Sequence, residues 1–118
     1  MKVIIIGGGT AGLTVAAQLK KKHSDLKVQI FEPSDHHFYQ PLYTLVGAGV
    51  DKKEKTKRLT KDYMPKGVEW IKQKVVSFDP ENNSVTDQEG KSHSYDYLVV
   101  APGIQIDWHL IEGLTDTL

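Results

Sequence analysis

The chain has 118 residues, enough for one domain built around a single core. Its 15 Lys and Arg balance its 15 Asp and Glu, so no net field draws nucleic acid or an anionic membrane. It contains no cysteine, which excludes a disulfide framework, a thiolate metal site and a thiol redox centre within these residues.

Lys2-Val3-Ile4-Ile5-Ile6 is a short apolar run that predicts a strand, and it stops at Gly7-Gly8-Gly9-Thr10-Ala11-Gly12. An amphipathic stretch from Leu13 to Leu19 follows at once, so a helix is predicted over residues 10–22. Strand, glycine turn and helix in that order form the context in which G-x-G-x-x-G marks a dinucleotide site. Gly7 permits the tight turn, and Gly9 lets the backbone approach a pyrophosphate where a Cβ would block it. Gly12 lets the helix pack close to the strand, which aims the helix N-terminus at the phosphates. The run Lys20-Lys21-Lys22-His23 at the far end suits the negative pole of the helix dipole, a role of capping and solubility only.

Lys27-Val28-Gln29-Ile30-Phe31 alternates into a second strand, predicted over residues 27–32, with Glu32 at its end before the breaker Pro33. An acidic residue about 20 positions beyond the last glycine is the usual ribose acceptor. Its carboxylate can take both ribose hydroxyls and would repel a 2′-phosphate.

Residues 33–49 form an aromatic, proline-broken loop leading into a short apolar segment. Phe38, Tyr39 and Tyr43 either stack on a flat ring system or simply cover the sheet edge, and Gln40 can hydrogen-bond a cofactor. His36 and His37, adjacent in an extended loop, point apart, so no metal site is expected there. Asp51 to Lys66 is dense in charge, with Lys52, Lys53, Lys55, Lys57, Arg58, Lys61 and Lys66 against Asp51, Glu54 and Asp62. It reads as a solvated helix or loop.

Strands then resume at Val68–Ile71. Residues 74–79, 84–87 and 93–95 are separated by turns at Pro80–Asn83 and Gln88–Lys91, the spacing of an antiparallel meander. Tyr97 to Ala101 is apolar on both faces, as in a central parallel strand. Pro102-Gly103 turns the chain at that strand's carboxyl end, the edge where doubly wound sheets bind ligands. The fold expected is α/β: four parallel strands at 2–6, 27–32, 68–71 and 97–101, the helix on one face and the meander on the other.

A β-meander crossover, Glu32 and the Ala101-Pro102-Gly103 ending together resemble the Rossmann-like, three-layer FAD domain of the two-dinucleotide-binding flavoprotein oxidoreductases (the pyridine nucleotide-disulfide oxidoreductase-like superfamily). Pro102 stands where that superfamily usually has threonine, which removes a hydroxyl but keeps the turn. Phe38-Tyr39-Gln40-Pro41-Leu42-Tyr43 with Val46-Gly47-Ala48-Gly49, and Gly67-Val68-Glu69-Trp70-Ile71, look like sulfide:quinone oxidoreductases of the mitochondrial-like type. The glycine motif is specific only to the superfamily; the segment from Phe38 to Gly49 narrows it to the family. The resemblance runs from Lys2 to Leu114.

The resemblance implies FAD as cofactor. It makes Gly7, Gly8, Gly9, Thr10, Ala11 and Gly12 the pyrophosphate loop and Glu32 the ribose acceptor. Gln40 would lie along the flavin side, Val75 would hold the adenine through its backbone groups, and Ala101 and Gly103 would form the turn beside the flavin. None of these is a catalyst. The family reduces FAD through a pair of redox cysteines that react with sulfide, then passes two electrons to a quinone. Residues 1–118 are therefore expected to be the N-terminal portion of an incomplete FAD-binding domain, inactive alone, from a longer enzyme. Sulfide and quinone would be partners of that parent, and any peripheral membrane association would also be the parent's. An exposed sheet edge would favour self-association of the fragment.

Two other readings stand beside this one. One is a type II NADH dehydrogenase-like quinone reductase; the other is a free-standing, non-catalytic nucleotide-binding domain. The first strand begins at residue 2 and no stretch approaches the roughly 20 apolar residues of a membrane span. From these features a bacterial, cytoplasmic chain is expected.

Overall fold

A computed structural model describes residues 1–116. β1 (Lys2–Ile6), α1 (Thr10–Lys22) and β2 (Lys27–Phe31) come first. β3 (His36–Phe38), a helical turn at Gln40–Leu42, α2 (Tyr43–Gly47), a second turn at Lys53–Thr56, β4 (Lys57–Leu59) and α3 (Thr60–Tyr63) follow. The last strands are β5 (Val68–Ile71), β6 (Val75–Asp79), β7 (Ser84–Asp87), β8 (Ser92–Ser94) and β9 (Tyr97–Val100).

The main sheet is four-stranded in the order β5-β2-β1-β9, and every pairing is parallel, with Ile5 opposite Ile30 and Val99. Its strands are those predicted, with β2 and β9 each one residue shorter. β1 lies inside the sheet and is covered on both faces, which is why it reads as an unbroken apolar run. Side chains alternate across it. Val3 and Ile5, with Val28 and Ile30 of β2, pack against Leu13 and Ala16 of α1. Ile4 and Ile6, with Phe31, face the other way and meet Val85 of β7, together with Val75 and Tyr95.

That second face is roofed by the three-stranded sheet β6-β7-β8, antiparallel throughout. Residues 72–96 form strands and turns, as the spacing of turn residues predicts. A bulge between Val75 and Ser77 shifts the register of β6. Beneath the sheet the His93 ring stands edge-on to Phe31, with centroids 4.9 Å apart. His93 Nε2 lies 2.8 Å from Asp87 Oδ2, and Asp87 Oδ1 accepts from the backbone N–H groups of Glu89 and Lys91 at 2.9 and 3.0 Å. The hydrogen bond with His93 is the main cause holding the Asp87 carboxyl below the ordinary carboxylate range.

Three expectations change. Residues 51–66 are largely exposed and hold helical turns, as expected, but they are not only solvated helix or loop: β4 pairs antiparallel with β3, His37 opposite Arg58, in a separate two-stranded sheet. The charged residues hid this because the segment is anchored by its threonines. Thr56 and Thr60 are buried; Thr56 O accepts from Tyr39 N–H at 2.8 Å, and Thr60 N–H donates to Asp35 O at 2.8 Å. Second, β9 is not central but an edge strand, with Tyr97 and Val100 exposed. A run apolar on both faces requires burial on both faces, and within the described residues only β1 flanks it. Third, Lys20 does more than solubilise: its Nζ donates to Ser24 O at 2.5 Å and Leu26 O at 2.8 Å, closing the α1–β2 turn.

Candidate functional site

At the carboxyl ends of β1, β2 and β9 the chain turns away from the sheet three times, and the three turns touch. Gly7 N–H donates to Phe31 O at 2.9 Å and Ala101 N–H to Ile6 O at 2.8 Å. Gly7 has φ +101°, and a Cβ there would sit 2.1 Å from Ala101 O. Glycine is thus required both by its dihedral and by the neighbouring strand end. A Cβ on Gly12 would meet Gly7 O at 1.9 Å and Ile5 Cγ2 at 3.3 Å, so α1 enters against the strand only because that residue is bare.

Gly9 is different, since a Cβ there would meet nothing within 4 Å. It faces a cavity of about 710 Å³. α1 begins at this point, and its first internal bond runs from Leu13 N–H to Gly9 O at 3.0 Å. The N–H groups of Thr10, Ala11 and Gly12 therefore have no acceptor within the helix. Gly9 offers no side-chain cap and the first turn carries no acidic residue. Free donors at the positive end of a helix dipole, bare of side chains, suit an anion.

Glu32 stands across the cavity mouth. Its Oε2 accepts from Gly8 N–H at 2.8 Å and its Oε1 from Ser34 N–H at 2.7 Å. Its own backbone is held on both sides. Glu32 N–H donates to Ile71 O at 3.0 Å, and Trp70 Nε1 donates to Glu32 O at 2.8 Å. Lys72 pairs with Asp35 and lies 5.6 Å from the centre of the Trp70 ring.

Of the residues singled out in the sequence, Gly8, Gly9, Thr10, Ala11, Glu32, Gln40, Ala101 and Gly103 line this one cavity. Gly7 and Gly12 pack directly behind it. Val75 does not line it; it lies on β6 and packs toward Phe31 and Ile4. Among the aromatics Phe38 reaches the cavity, whereas Tyr39 lines a smaller one on the far side of the β3–β4 ribbon. The sequence reasoning missed Ser34, His36, His37 and Ile104 as lining residues. Ser34 orients Glu32 through its backbone N–H, a donor that any residue but proline supplies, so its side chain carried no signal. Ile104 carried none either.

Residues 1–117 match the family model described as pyridine nucleotide-disulphide oxidoreductase. The mitochondrial sulfide:quinone oxidoreductase of Dictyostelium discoideum is 44% identical over 99% of this chain and 26% of its own length. The mitochondrial enzyme of the same name from Mus musculus is 42% identical over 98% of this chain and 26% of its own. Among solved structures, the sulfide:quinone oxidoreductase of the hyperthermophilic bacterium Aquifex aeolicus superposes with a TM-score of 0.76 at 31% identity. That likeness covers 89% of this chain and 25% of that one. The chain spans about a quarter of the length of these relatives.

Proposed function

The chain belongs to the pyridine nucleotide-disulphide oxidoreductase family, and from that membership we propose that it is the FAD-binding N-terminal portion of a sulfide:quinone oxidoreductase. One observation carries the cofactor reading: the bare helix end at Gly9, the carboxylate of Glu32 and the Ala101–Gly103 turn open into a single cavity.

The residues present fit such a cofactor. Thr10, Ala11 and Gly12 supply unpaired N–H donors for a pyrophosphate, and Gly9 leaves the space that a Cβ would fill. A carboxylate has about four acceptor directions, and Gly8 and Ser34 use two of those of Glu32. The remainder can accept two ribose hydroxyls. Gln40, Ala101 and Gly103 line the stretch assigned to the flavin, and Val75 remains the proposed backbone contact for the adenine. When bound, FAD supplies two-electron redox chemistry.

This portion binds and orients. Sulfide is itself the nucleophile, and its oxidation by a redox pair needs a cysteine disulfide that it can open to one persulfide and one thiolate; no cysteine occurs in these residues. The redox pair and the quinone pocket therefore belong, in this reading, to the remainder of a longer protein. Peripheral attachment to a membrane and a cytoplasmic location are likewise attributes proposed for the parent. Among the described residues no helix is long and apolar enough to cross a membrane. Self-association of the fragment is supported by the exposed β9 edge, where Tyr97 and Val100 lie open.

The test is to express the whole gene and assay reduction of a short-chain ubiquinone analogue. Sulfide should serve as donor and NADH should not. Quinone reduction driven by NADH alone would replace this reading with the type II NADH dehydrogenase one. In the same protein Glu32→Ala should weaken FAD binding by about 1–3 kcal/mol, the scale for losing hydrogen bonds to a charged group. An unchanged dissociation constant would remove Glu32 from the site.

A further inference from the structure

A second cavity, of about 290 Å³, lies between α1 and the β3–β4 ribbon; it shares Thr10 and His37 with the larger one, and its other residues have no role in the cofactor reading. Leu13 gives it an apolar floor, and Thr10 and Thr14 on the first turns of α1 add hydroxyls. Its other walls are aromatic. His37 and Tyr63 stack with centroids 5.7 Å apart and planes inclined by 27°, and Tyr39 lines it as well. Arg58 is its cation: Nη1 donates to the Tyr63 hydroxyl at 2.6 Å, and the guanidinium carbon lies 5.6 Å from that ring's centroid.

The geometry points to a second small-molecule site here, one that takes a planar aromatic ring bearing a single acidic group. The volume sits at the lower limit of small-molecule pockets, about 300 Å³, which restricts the ligand to one or two rings. Three aromatic side chains favour a flat π-system over an aliphatic or sugar ligand, because offset and edge contacts between rings add to simple burial. Among the described residues no acidic side chain lines the cavity, so the charge of Arg58 has no counter-ion there. Tyr63 engages one of the guanidinium's five donors, and those left can pair with a carboxylate in the forked geometry that arginine favours. A small inorganic anion would lose its water to a mainly apolar wall and one cation, a poor exchange. The pairing of β3 with β4 builds the pocket by setting His37 opposite Arg58, so its charge and most of its aromatic wall come from residues to which the cofactor reading gives no role.

The experiment titrates the chain with 2-naphthoate, with the neutral 2-naphthalenemethanol in parallel, and follows amide and Arg58 Nε–H resonances by NMR. Saturable shifts of Thr14, Arg58 and Tyr63 are expected, with the acid bound at least tenfold more tightly than the alcohol. Arg58→Gln should remove that preference. Thr14→Met, an exposed change that fills the cavity, should abolish naphthoate binding while ADP still binds at the glycine turn. Equal affinity for acid and alcohol would overturn the proposal, as would the absence of saturable shifts. Stoichiometric displacement of naphthoate by ADP would also overturn it, because the probe would then lie in the larger cavity.

Discussion

Gly8 and Glu32 hold one another in place. The Gly8 N–H donates to Glu32 Oε2 at 2.8 Å, and a Cβ on residue 8 would lie 2.7 Å from Glu32 Cγ and 2.8 Å from its Cβ. The middle glycine of the turn is thus small because the acidic side chain folds across it. That fold sets where the carboxylate's remaining acceptors point.

Gly8→Ala is accordingly expected to act through Glu32. Pushing the carboxylate off its N–H partner should weaken ADP binding by about 1–3 kcal/mol, the cost of losing a charge-assisted hydrogen bond. The double variant Gly8→Ala/Glu32→Ala should lose less than the sum of the two single ones, since both remove the same interaction. Calorimetric titration of the four proteins gives the answer, and strict additivity would show that residue 8 acts elsewhere.

Gly7→Ala should damage the fold as well as the site. An alanine at φ +101° carries strain of about 1–3 kcal/mol, and its clash with Ala101 O adds overpacking of about 1–3 kcal/mol. Urea unfolding should show the chain close to the limit of stability. A midpoint unchanged from wild type would mean that β1 and β9 separate freely at their carboxyl ends.

Val85 is fully buried and is the main plug between the meander and the sheet. Val85→Ala removes about two methylene equivalents of burial, at roughly 0.8 kcal/mol each, and leaves a cavity, so a loss of about 2 kcal/mol is expected. Val76 on the neighbouring strand is 57% exposed, and Val76→Ala should change stability by less than about 0.5 kcal/mol. Similar losses at both positions would indicate that the meander does not form a separate packed layer.

The meander should also be acid-sensitive. The Asp87 carboxyl titrates below its ordinary range, first because of the hydrogen bond with His93 and further because of the N–H groups of Lys91 and Glu89. The unfolded chain then holds the proton more tightly than the folded one, so stability rises with pH across this range. The contribution is complete above the ordinary carboxylate value, about 3.9, and is lost as pH falls through the depressed folded value. Urea midpoints taken downward from pH 6 should drop more steeply for wild type than for Asp87→Asn. Parallel acid limbs would exclude Asp87 as a source of the sensitivity.

The isolated chain should show no sulfide-dependent quinone reduction and should hold FAD weakly, emerging colourless or faintly yellow. It should also self-associate through the β9 edge. Gel filtration with absorbance at the flavin band tests flavin retention and self-association, and a sulfide-driven quinone-reduction assay tests the first expectation. A bright yellow monomer with stoichiometric FAD would contradict the weak retention and the self-association.

Local pattern carried the β1–α1–β2 unit. The apolar run of Lys2–Ile6, the glycine spacing to Gly12 and the placing of Glu32 are set by dihedral limits and side-chain alternation over a few residues, so they can be read along the chain. The meander was equally readable, because its strands are joined by turns of adjacent residues. What the chain order did not carry were the pairings between distant segments. Alternation reports which faces of Tyr97–Val100 are apolar but not what covers them, and the sheet leaves that strand at its edge. Nor does the charge of residues 51–66 reveal that Thr56 and Thr60 are buried and that Arg58 comes to lie opposite His37. Strand pairing across about 20 residues is decided by backbone donors finding acceptors in competition with water and with one another. Only the folded chain resolves that competition, and it is what creates the cavity beneath Tyr63.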